Sequence, residues 1–206
     1  MLNSVKLVRS VIPALILAMS AILPLSGAHA ETASETASAP LPSVKVVTSK
    51  GPFVLQLRPD VAPKTVENFL EYARSGFYDN TVFHRVIPGF MIQGGGFNKD
   101  LTRKPTQDPI VNEAKPTLKN LRGSIAMART SAPDSATSQF FINVVNNGFL
   151  DAGVRGAGYA VFGKVTEGMG VVDAIAGVDT KNARGMANVP VEPVIIESVS
   201  VLEPAN

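Results

Sequence analysis

The chain alternates short β-prone segments with turn residues over most of its length. Residues 44–48 and 53–57 are rich in Val, Leu and Phe, and Ser49-Lys50-Gly51-Pro52 between them indicates a hairpin. A second pair of strands, 81–87 and 90–93, is joined across Pro88-Gly89. The remaining predicted strands are 124–128, 139–144, 160–165 and 194–202. Many short strands with few helices favour a closed, mostly antiparallel barrel.

Two helices complete the predicted domain. Pro63 begins the first at a position where its missing N–H is harmless, and Gly76 ends it. Four apolar residues between them recur at helical spacing and form one stripe to pack on a sheet: Val66, Phe69, Leu70 and Ala73. The second helix is predicted over Met169 to Ala176, although the glycines at and just before its start weaken it.

The first thirty residues have the three regions of a secretory signal peptide. A short basic start precedes an apolar core (residues 11–25), and Ala28-His29-Ala30 forms an A-x-A cleavage site, so we expect cleavage after Ala30. The alternative is an uncleaved membrane anchor. It is disfavoured because Pro13 and Pro24 interrupt the run, which is shorter than the ~20 apolar residues of a spanning helix. No later segment is apolar enough to span, so we expect no membrane association after cleavage.

A linker and a single domain follow the predicted signal peptide. Residues 31–42, ETASETASAPLP, are small and polar with a repeated ETAS, and we predict a flexible linker because they cannot bury enough apolar surface to fold. Residues 43–206 have the size of one domain, and we expect a monomer. Removing residues 1–30 takes away two basic residues and no acidic one, which leaves equal numbers of each. That balance argues against a nucleic-acid partner.

Histidine and cysteine content excludes several kinds of chemistry. The chain has two histidines and no cysteine, and His29 lies in the predicted signal peptide. His84 would then be the only histidine of the mature protein. A Cys-His pair and a zinc site built from Cys or several His are excluded, and no Gly-x-Ser-x-Gly motif indicates a hydrolase. We expect no metal and no cofactor.

One stretch, Phe83 to Gly95, sets an arginine and a glutamine among large apolar side chains, a mixture that suits a peptide pocket. It is one of several motifs that occur in order along residues 44–202. The others are Ala62-Pro63-Lys64-Thr65-Val66-Glu67-Asn68-Phe69, Met127-Ala128, Ser138-Gln139-Phe140-Phe141-Ile142, Phe149-Leu150-Asp151 and Val161-Phe162-Gly163. Together they resemble the cyclophilin-type peptidyl-prolyl cis-trans isomerases.

The resemblance implies a mainly β fold, a closed eight-stranded antiparallel β-barrel capped by two α-helices, with a peptide groove on one face. It implies that Arg85 is the catalytic residue and that Gln93 helps to orient it. The walls of a proline pocket are assigned to Phe90, Met91, Phe141 and Leu150. Residues expected beside this pocket or along the bound peptide are Phe83, His84, Phe149, Tyr159 and the backbone of Ala128 and Arg129.

Several of these assignments have a structural alternative: Arg85 could be a surface arginine of a strand, and the pocket walls Phe90, Met91, Phe141 and Leu150 could be ordinary barrel core. Phe83 fits the barrel core equally well. We expect His84 in a structural position or at the pocket edge, because the implied reaction transfers no proton.

The resemblance also implies partners and a compartment. Arg129-Thr130 and the segment Gly158 to Gly163 are similar to those of a bacterial periplasmic branch, which agrees with the signal peptide and predicts a periplasmic protein. The expected partners are proline-containing peptides and unfolded exported proteins, whose X-Pro bonds the enzyme would isomerise during folding. The alternative is a peptide-binding chaperone with incidental isomerase activity. Phe149 stands where relatives that bind cyclosporin tightly usually have tryptophan, so we expect weak cyclosporin binding.

Overall fold

The computed structural model describes residues 40–202. The predicted signal peptide, its cleavage site after Ala30 and residues 31–39 of the predicted linker lie outside this range, as do residues 203–206. Within the described range, neither helix is long and apolar enough to cross a membrane.

Ten strands and two α-helices make up these residues. The strands are β1 (Ser43–Thr48), β2 (Gly51–Leu57), β3 (Thr81–Ile87), β4 (Met91–Asn98), β5 (Ser124–Met127), β6 (Phe140–Asn143), β7 (Val161–Glu167), β8 (Thr180–Ala183), β9 (Met186–Pro190) and β10 (Ile195–Leu202). The helices are α1 (Pro63–Arg74) and α2 (Met169–Ala176), and Gly148–Leu150 forms one turn of 3₁₀ helix.

Eight strands close into an antiparallel barrel in the order β1-β10-β3-β4-β6-β5-β7-β2, with β1 paired to β2. These are the eight segments that the sequence pattern predicts as strands, so the predicted fold class is confirmed. Closure pairs every barrel strand on both sides, which removes the exposed edges that an open sheet presents.

Strand β4 runs five residues further than its predicted end at Gln93. The extension contains Gly94, Gly95 and Gly96, a residue type that is depleted in strands. Their neighbours explain them: a Cβ atom at Gly95 would lie 2.9 Å from the rings of Tyr78 and Phe140, and one at Gly96 would lie 2.4 Å from the Gln139 side chain. The strand passes so close to other side chains that only glycine fits.

Aromatic rings fill one region of the barrel core together with α1. Phe69 lies on the apolar stripe of α1, and its ring centroid is 5.2 Å from that of Tyr78, 5.6 Å from Phe140 and 5.2 Å from Phe162. All four side chains are fully buried. Because side chains fill the interior, the peptide groove expected from the sequence has to lie on the outside of the barrel.

The hairpin of β8 and β9 is a feature that the sequence analysis does not predict. It lies outside the barrel, with β9 beside β3. Its two-residue turn, Arg184-Gly185, has both residues in the left-handed region at φ 50° and 76°. Asn-Gly or Asp-Gly is the usual signal for such a turn, and few β-branched residues mark these strands, so the pattern is weak.

A β-bulge at His84 decides which way the neighbouring side chains point. Phe83 pairs with Gly94, and Arg85 pairs with the adjacent residue Gln93, so His84 is an extra residue in β3. In a regular strand, Phe83 and Arg85 would share a face, because side chains alternate with a period of two. The bulge breaks this alternation. Phe83 therefore packs in the barrel core, while Arg85 faces outward.

Candidate functional site

A row of directly paired residues crosses the outer face of the barrel. Arg85 on β3 pairs with Gln93 on β4, which pairs in turn with Phe141 on β6. Phe141 then pairs with Ala126 on β5, and Ala126 pairs with Val161 on β7. Directly paired residues project to the same face of a sheet. The row thus has a polar end, Arg85 and Gln93, and an apolar end.

The pocket on this row has a volume of about 140 Å³. The residues that line it are Arg85, Phe90, Met91, Gln93, Ala128, Arg129, Phe141, Leu150 and Tyr159. All nine are site residues predicted from the sequence, and the fold brings them together although they span more than seventy positions of the chain. An apolar cluster separate from the barrel core underlies the pocket. Its buried members are Met91, Phe141, Ala126 and Val161.

A chain of side-chain hydrogen bonds orients the polar end of the pocket. Arg85 Nη1 donates to Gln93 Oε1 at 3.4 Å, and Gln93 Nε2 donates to Gln139 Oε1 at 3.0 Å. None of the ion pairs among residues 40–202 includes Arg85. Arg85 is half-buried at the pocket edge. Its guanidinium is held by a neutral partner, so no carboxylate cancels its charge.

Gln139 supports the pocket through its hydrogen bond with Gln93 without lining it, and no prediction from the sequence assigns it this place. It precedes Phe141 by two positions, so strand periodicity places both on one face, and that spacing was the available signal. Its backbone also contributes, because the Gln139 carbonyl accepts a hydrogen bond from the Ala128 N–H at 2.9 Å. This bond fixes the backbone of Ala128 and Arg129 along the pocket.

A buried polar network holds the other wall in place. The Asp151 carboxylate accepts hydrogen bonds from the backbone and side-chain N–H groups of Asn120, at 2.7 and 3.1 Å. Asn143 Nδ2 donates to Asn120 Oδ1 at 3.2 Å, and Asn147 Nδ2 donates to Asn143 Oδ1 at 2.7 Å. Asn147 Nδ2 also donates to the Phe90 carbonyl at 2.9 Å. A loop that has little regular structure is thereby tied to the start of β4.

The network positions two apolar side chains of the 3₁₀ turn, Phe149 and Leu150. Leu150 lines the pocket, and Phe149 stacks on Phe90 with centroids 5.6 Å apart and an interplanar angle of 24°. The Phe149 ring is 39% exposed and lines a second pocket that adjoins the first. Phe149 thus lies beside the predicted proline pocket and extends its apolar wall outward.

The described residues offer no group of three His, Asp or Glu side chains that could hold a metal ion. The polar side chains that line the pocket are two arginines, one amide and one phenol, and its remaining walls are apolar. Comparison with known proteins identifies the family. The family model for cyclophilin type peptidyl-prolyl cis-trans isomerase/CLD matches residues 43–201. The chain belongs to the cyclophilin family of peptidyl-prolyl cis-trans isomerases.

Bacterial relatives agree with this assignment. Over 160 residues the isomerase is 55% identical to peptidyl-prolyl cis-trans isomerase A of Dickeya dadantii, an alignment that covers 78% of this chain and 84% of the relative. Over 159 residues it is 57% identical to isomerase B of Escherichia coli, covering 76% of this chain and 97% of that one. Catalysis of peptidyl-prolyl isomerisation is the activity of this enzyme class.

Solved structures share the barrel. A cyclophilin of Cryptosporidium parvum superposes with a TM-score of 0.70 at 28% identity, covering 80% of the isomerase and 99% of that chain. A second structure of the parasite protein, in the presence of the dipeptide Ala-Pro, gives a TM-score of 0.69 at 29% identity, covering 78% and 99%.

Besides Phe149, which lines the adjoining pocket, the structure places two predicted site residues outside the pocket of the isomerase. Phe83 is 1% exposed in the barrel core, because the bulge turns it inward. His84 is 5% exposed, with its ring centroid 4.5 Å from that of Phe97, and its Nδ1 atom has no hydrogen-bond partner among residues 40–202. Burial, with a smaller effect of the neighbouring Arg85 charge, lowers the pKa of His84 from 6.5 to about 4.

The lowered pKa of His84 predicts how stability depends on pH. The unfolded chain protonates this imidazole below about pH 6.5, whereas the folded isomerase protonates it only below about pH 4. The free energy of unfolding should therefore decrease by about 3 kcal/mol as the pH falls through that window. Urea denaturation of residues 40–206 at several pH values measures it. His84 is the only histidine of that segment, so His84→Gln should remove the decrease.

The carboxylates of the isomerase with lowered pKa values do not interfere with this measurement. Asp60, Asp100 and Asp173 have pKa values below their usual 3.8, so the stability that they contribute is lost at more acidic pH. An unfolding free energy that falls equally in wild type and His84→Gln between pH 6.5 and 4 would contradict the assignment.

Proposed function

We propose that the isomerase catalyses rotation about X-Pro bonds without a covalent intermediate, with Arg85 stabilising the twisted peptide bond. The observation that carries this proposal is the uncompensated Arg85 guanidinium, held by Gln93 at the edge of an apolar pocket. Proline-containing peptides are the proposed ligands. The parasite cyclophilin solved in the presence of Ala-Pro supports this choice of ligand.

The chemical problem is the partial double bond of the peptide group. Delocalisation of the nitrogen lone pair into the carbonyl gives a rotational barrier of about 18–20 kcal/mol. Uncatalysed X-Pro isomerisation therefore takes roughly tens to hundreds of seconds. At the twisted geometry the conjugation is lost, and the prolyl nitrogen becomes pyramidal and able to accept a hydrogen bond. A donor placed beside that nitrogen binds the transition state more tightly than the planar ground state.

Arg85 suits this role because a guanidinium stays protonated at every physiological pH and donates from a rigid planar fork. Gln93 limits its motion through the hydrogen bond at 3.4 Å, and Gln139 holds Gln93 in turn. The donor is thus oriented before substrate binds, so little reorganisation is needed during the reaction.

The apolar part of the pocket has a separate task. Met91 and Phe141 are buried, and Phe90 and Leu150 are partly buried, so together they can hold a prolyl ring and exclude water while the acyl side of the bond rotates. Exclusion of water also strengthens the hydrogen bond from Arg85. No bond of the substrate is broken, so the site requires neither a nucleophile nor a general base.

We further propose that the enzyme acts in the periplasm on exported proteins during their folding. The signal-peptide pattern of residues 1–30 supports export. A peptide-binding chaperone role is the second candidate, and the half-exposed Phe149 ring beside the pocket favours it, because that surface could hold an unfolded chain without rotating any bond.

Substitution of Arg85 separates catalysis from peptide holding. We expect Arg85→Ala to lower kcat/KM about 10²- to 10³-fold, since it removes one preorganised donor, and to change the dissociation constant for a proline peptide much less. NMR exchange spectroscopy on an X-Pro peptide measures the rate, and the peptide's dissociation constant is measured by titration.

The matched control is Arg74→Ala, an exposed arginine at the end of α1, which should retain wild-type kinetics. Wild-type kcat/KM in Arg85→Ala would overturn the proposed mechanism. A different outcome favours the chaperone role. In that case Arg85→Ala has a lower kcat/KM than wild type but prevents aggregation of an unfolded client as well as wild type does.

Cyclosporin binding is expected to be weak and to improve in Phe149→Trp. An indole has an N–H donor that phenylalanine lacks, and the 39% exposed position leaves space for the larger ring. One added hydrogen bond corresponds to about a two- to tenfold gain in affinity. Titration calorimetry on both proteins measures it, and equal affinities would show that the ring at this position does not limit binding.

Export is tested on the full-length chain produced in a Gram-negative bacterium. The mature protein should appear in the periplasmic fraction with Glu31 as its first residue, as mass spectrometry of the intact protein would show. Full-length protein retained in the cytoplasm, with Met1 or Leu2 first, would refute both the signal peptide and the periplasmic role.

A further inference from the structure

A second pocket adjoins the proposed proline pocket and, like it, is lined by positive charge. It has a volume of about 440 Å³ and shares Arg129, Leu150 and Tyr159 with the proline pocket. Its other lining residues are Ser131, Pro133, Phe149, Arg155, Gly156, Ala157 and Gly158. The lining thus includes two arginines and no carboxylate. A peptide whose proline occupies the first pocket would place a neighbouring residue here, because the two share a wall.

Arg129 is fixed in position without being neutralised. Its Nε and Nη2 atoms donate to the Gly158 carbonyl at 3.0 and 2.9 Å, and Nη1 donates to the Thr130 carbonyl at 2.9 Å. Its guanidinium also lies over the Tyr159 ring, 4.5 Å from the centroid. Carbonyls and a π face orient a guanidinium but leave its full positive charge facing the pocket.

Arg155 supplies the second charge at the outer rim. Its guanidinium lies 5.2 Å from the centroid of the Phe149 ring, and it takes part in none of the ion pairs found within residues 40–202. The nearby carboxylates have other partners. Asp151 is buried and accepts hydrogen bonds from Asn120, and Asp134 accepts a hydrogen bond from the Asn112 N–H.

We propose that Arg129 and Arg155 form an anion-binding subsite that favours substrates with an acidic side chain, Asp or Glu, one or two residues from the proline. This inference rests on the proposed function, since it takes the neighbouring pocket as the proline site. Phe149 contributes the apolar wall along which the methylene groups of a glutamate would lie, and the two guanidinium groups flank its carboxylate.

Matched peptides test the subsite. Each pair differs only by Glu or Gln at one of the two positions before or after the proline, and NMR exchange spectroscopy gives kcat/KM for each peptide. At one position or more the Glu peptide should react about two to five times faster, the size expected for a partly exposed ion pair. The ratio should approach one in 0.5 M NaCl, where charges of this kind are screened.

Variants of Arg155 assign the preference to this pocket. The Glu/Gln ratio should fall in Arg155→Gln, and in Arg155→Glu a peptide with Lys at the same position should become the better substrate. Arg74→Gln, which removes an exposed arginine from α1, should keep the wild-type ratio.

Failure of this inference is distinguishable from failure of the proposed function. A ratio of one at all four positions, or a Glu preference that is the same in wild type, Arg155→Gln and Arg155→Glu, would overturn the subsite. In either case, Gln peptides that are isomerised by wild type and not by Arg85→Ala would leave the proposed function standing. Gln peptides isomerised equally by both proteins would overturn the Arg85 mechanism instead.

Discussion

Closure of the barrel is the constraint on which the remaining structure depends. Once β1 pairs with both β2 and β10, every barrel strand has one face toward a packed interior and one face outward. Side chains alternate along a strand, so consecutive residues take opposite roles. Phe140 packs against Phe69 in the core, while Phe141 faces the pocket. The same strands that fill the interior therefore also build the outer pocket, and a one-residue shift in register would exchange the two sets of side chains.

The site is made where this regular alternation is interrupted. The bulge at His84 turns Phe83 into the core and leaves Arg85 on the outside. A buried network around Asp151 supports the other wall, which comes from a loop rather than a strand. Such a network is costly to leave partly unsatisfied, so it fixes the loop to one position relative to β4. The polar and apolar groups of the pocket are thus held in place by these elements.

Few charged side chains line the two pockets. Arg85 has a neutral amide as its partner, and Arg129 donates to carbonyls, so each keeps a charge that a substrate can meet. The one histidine of the described residues is buried, and its pKa is lowered to about 4, so it stays neutral at physiological pH. An electrostatic mechanism that requires only fixed donors and an apolar pocket is consistent with this distribution, because rotation about a peptide bond transfers no proton.

Sequence patterns by themselves predicted the eight barrel strands and both helices, because period-two apolar patterns and turn pairs are local signals. The nine pocket residues were assigned by the resemblance of several motifs to those of the cyclophilins. Tertiary structure alone decided the rest. The predicted strand ends at Gln93, but β4 continues through the glycines that follow it. Glycine is required there, because the rings of Tyr78 and Phe140 leave no room for a side chain at Gly95. Phe83 and Arg85 point to opposite faces only because an extra residue is accommodated between them, and the hydrogen bond that Gln93 donates to Gln139 joins residues 46 positions apart. Such facts depend on contacts between distant segments, which no local pattern records.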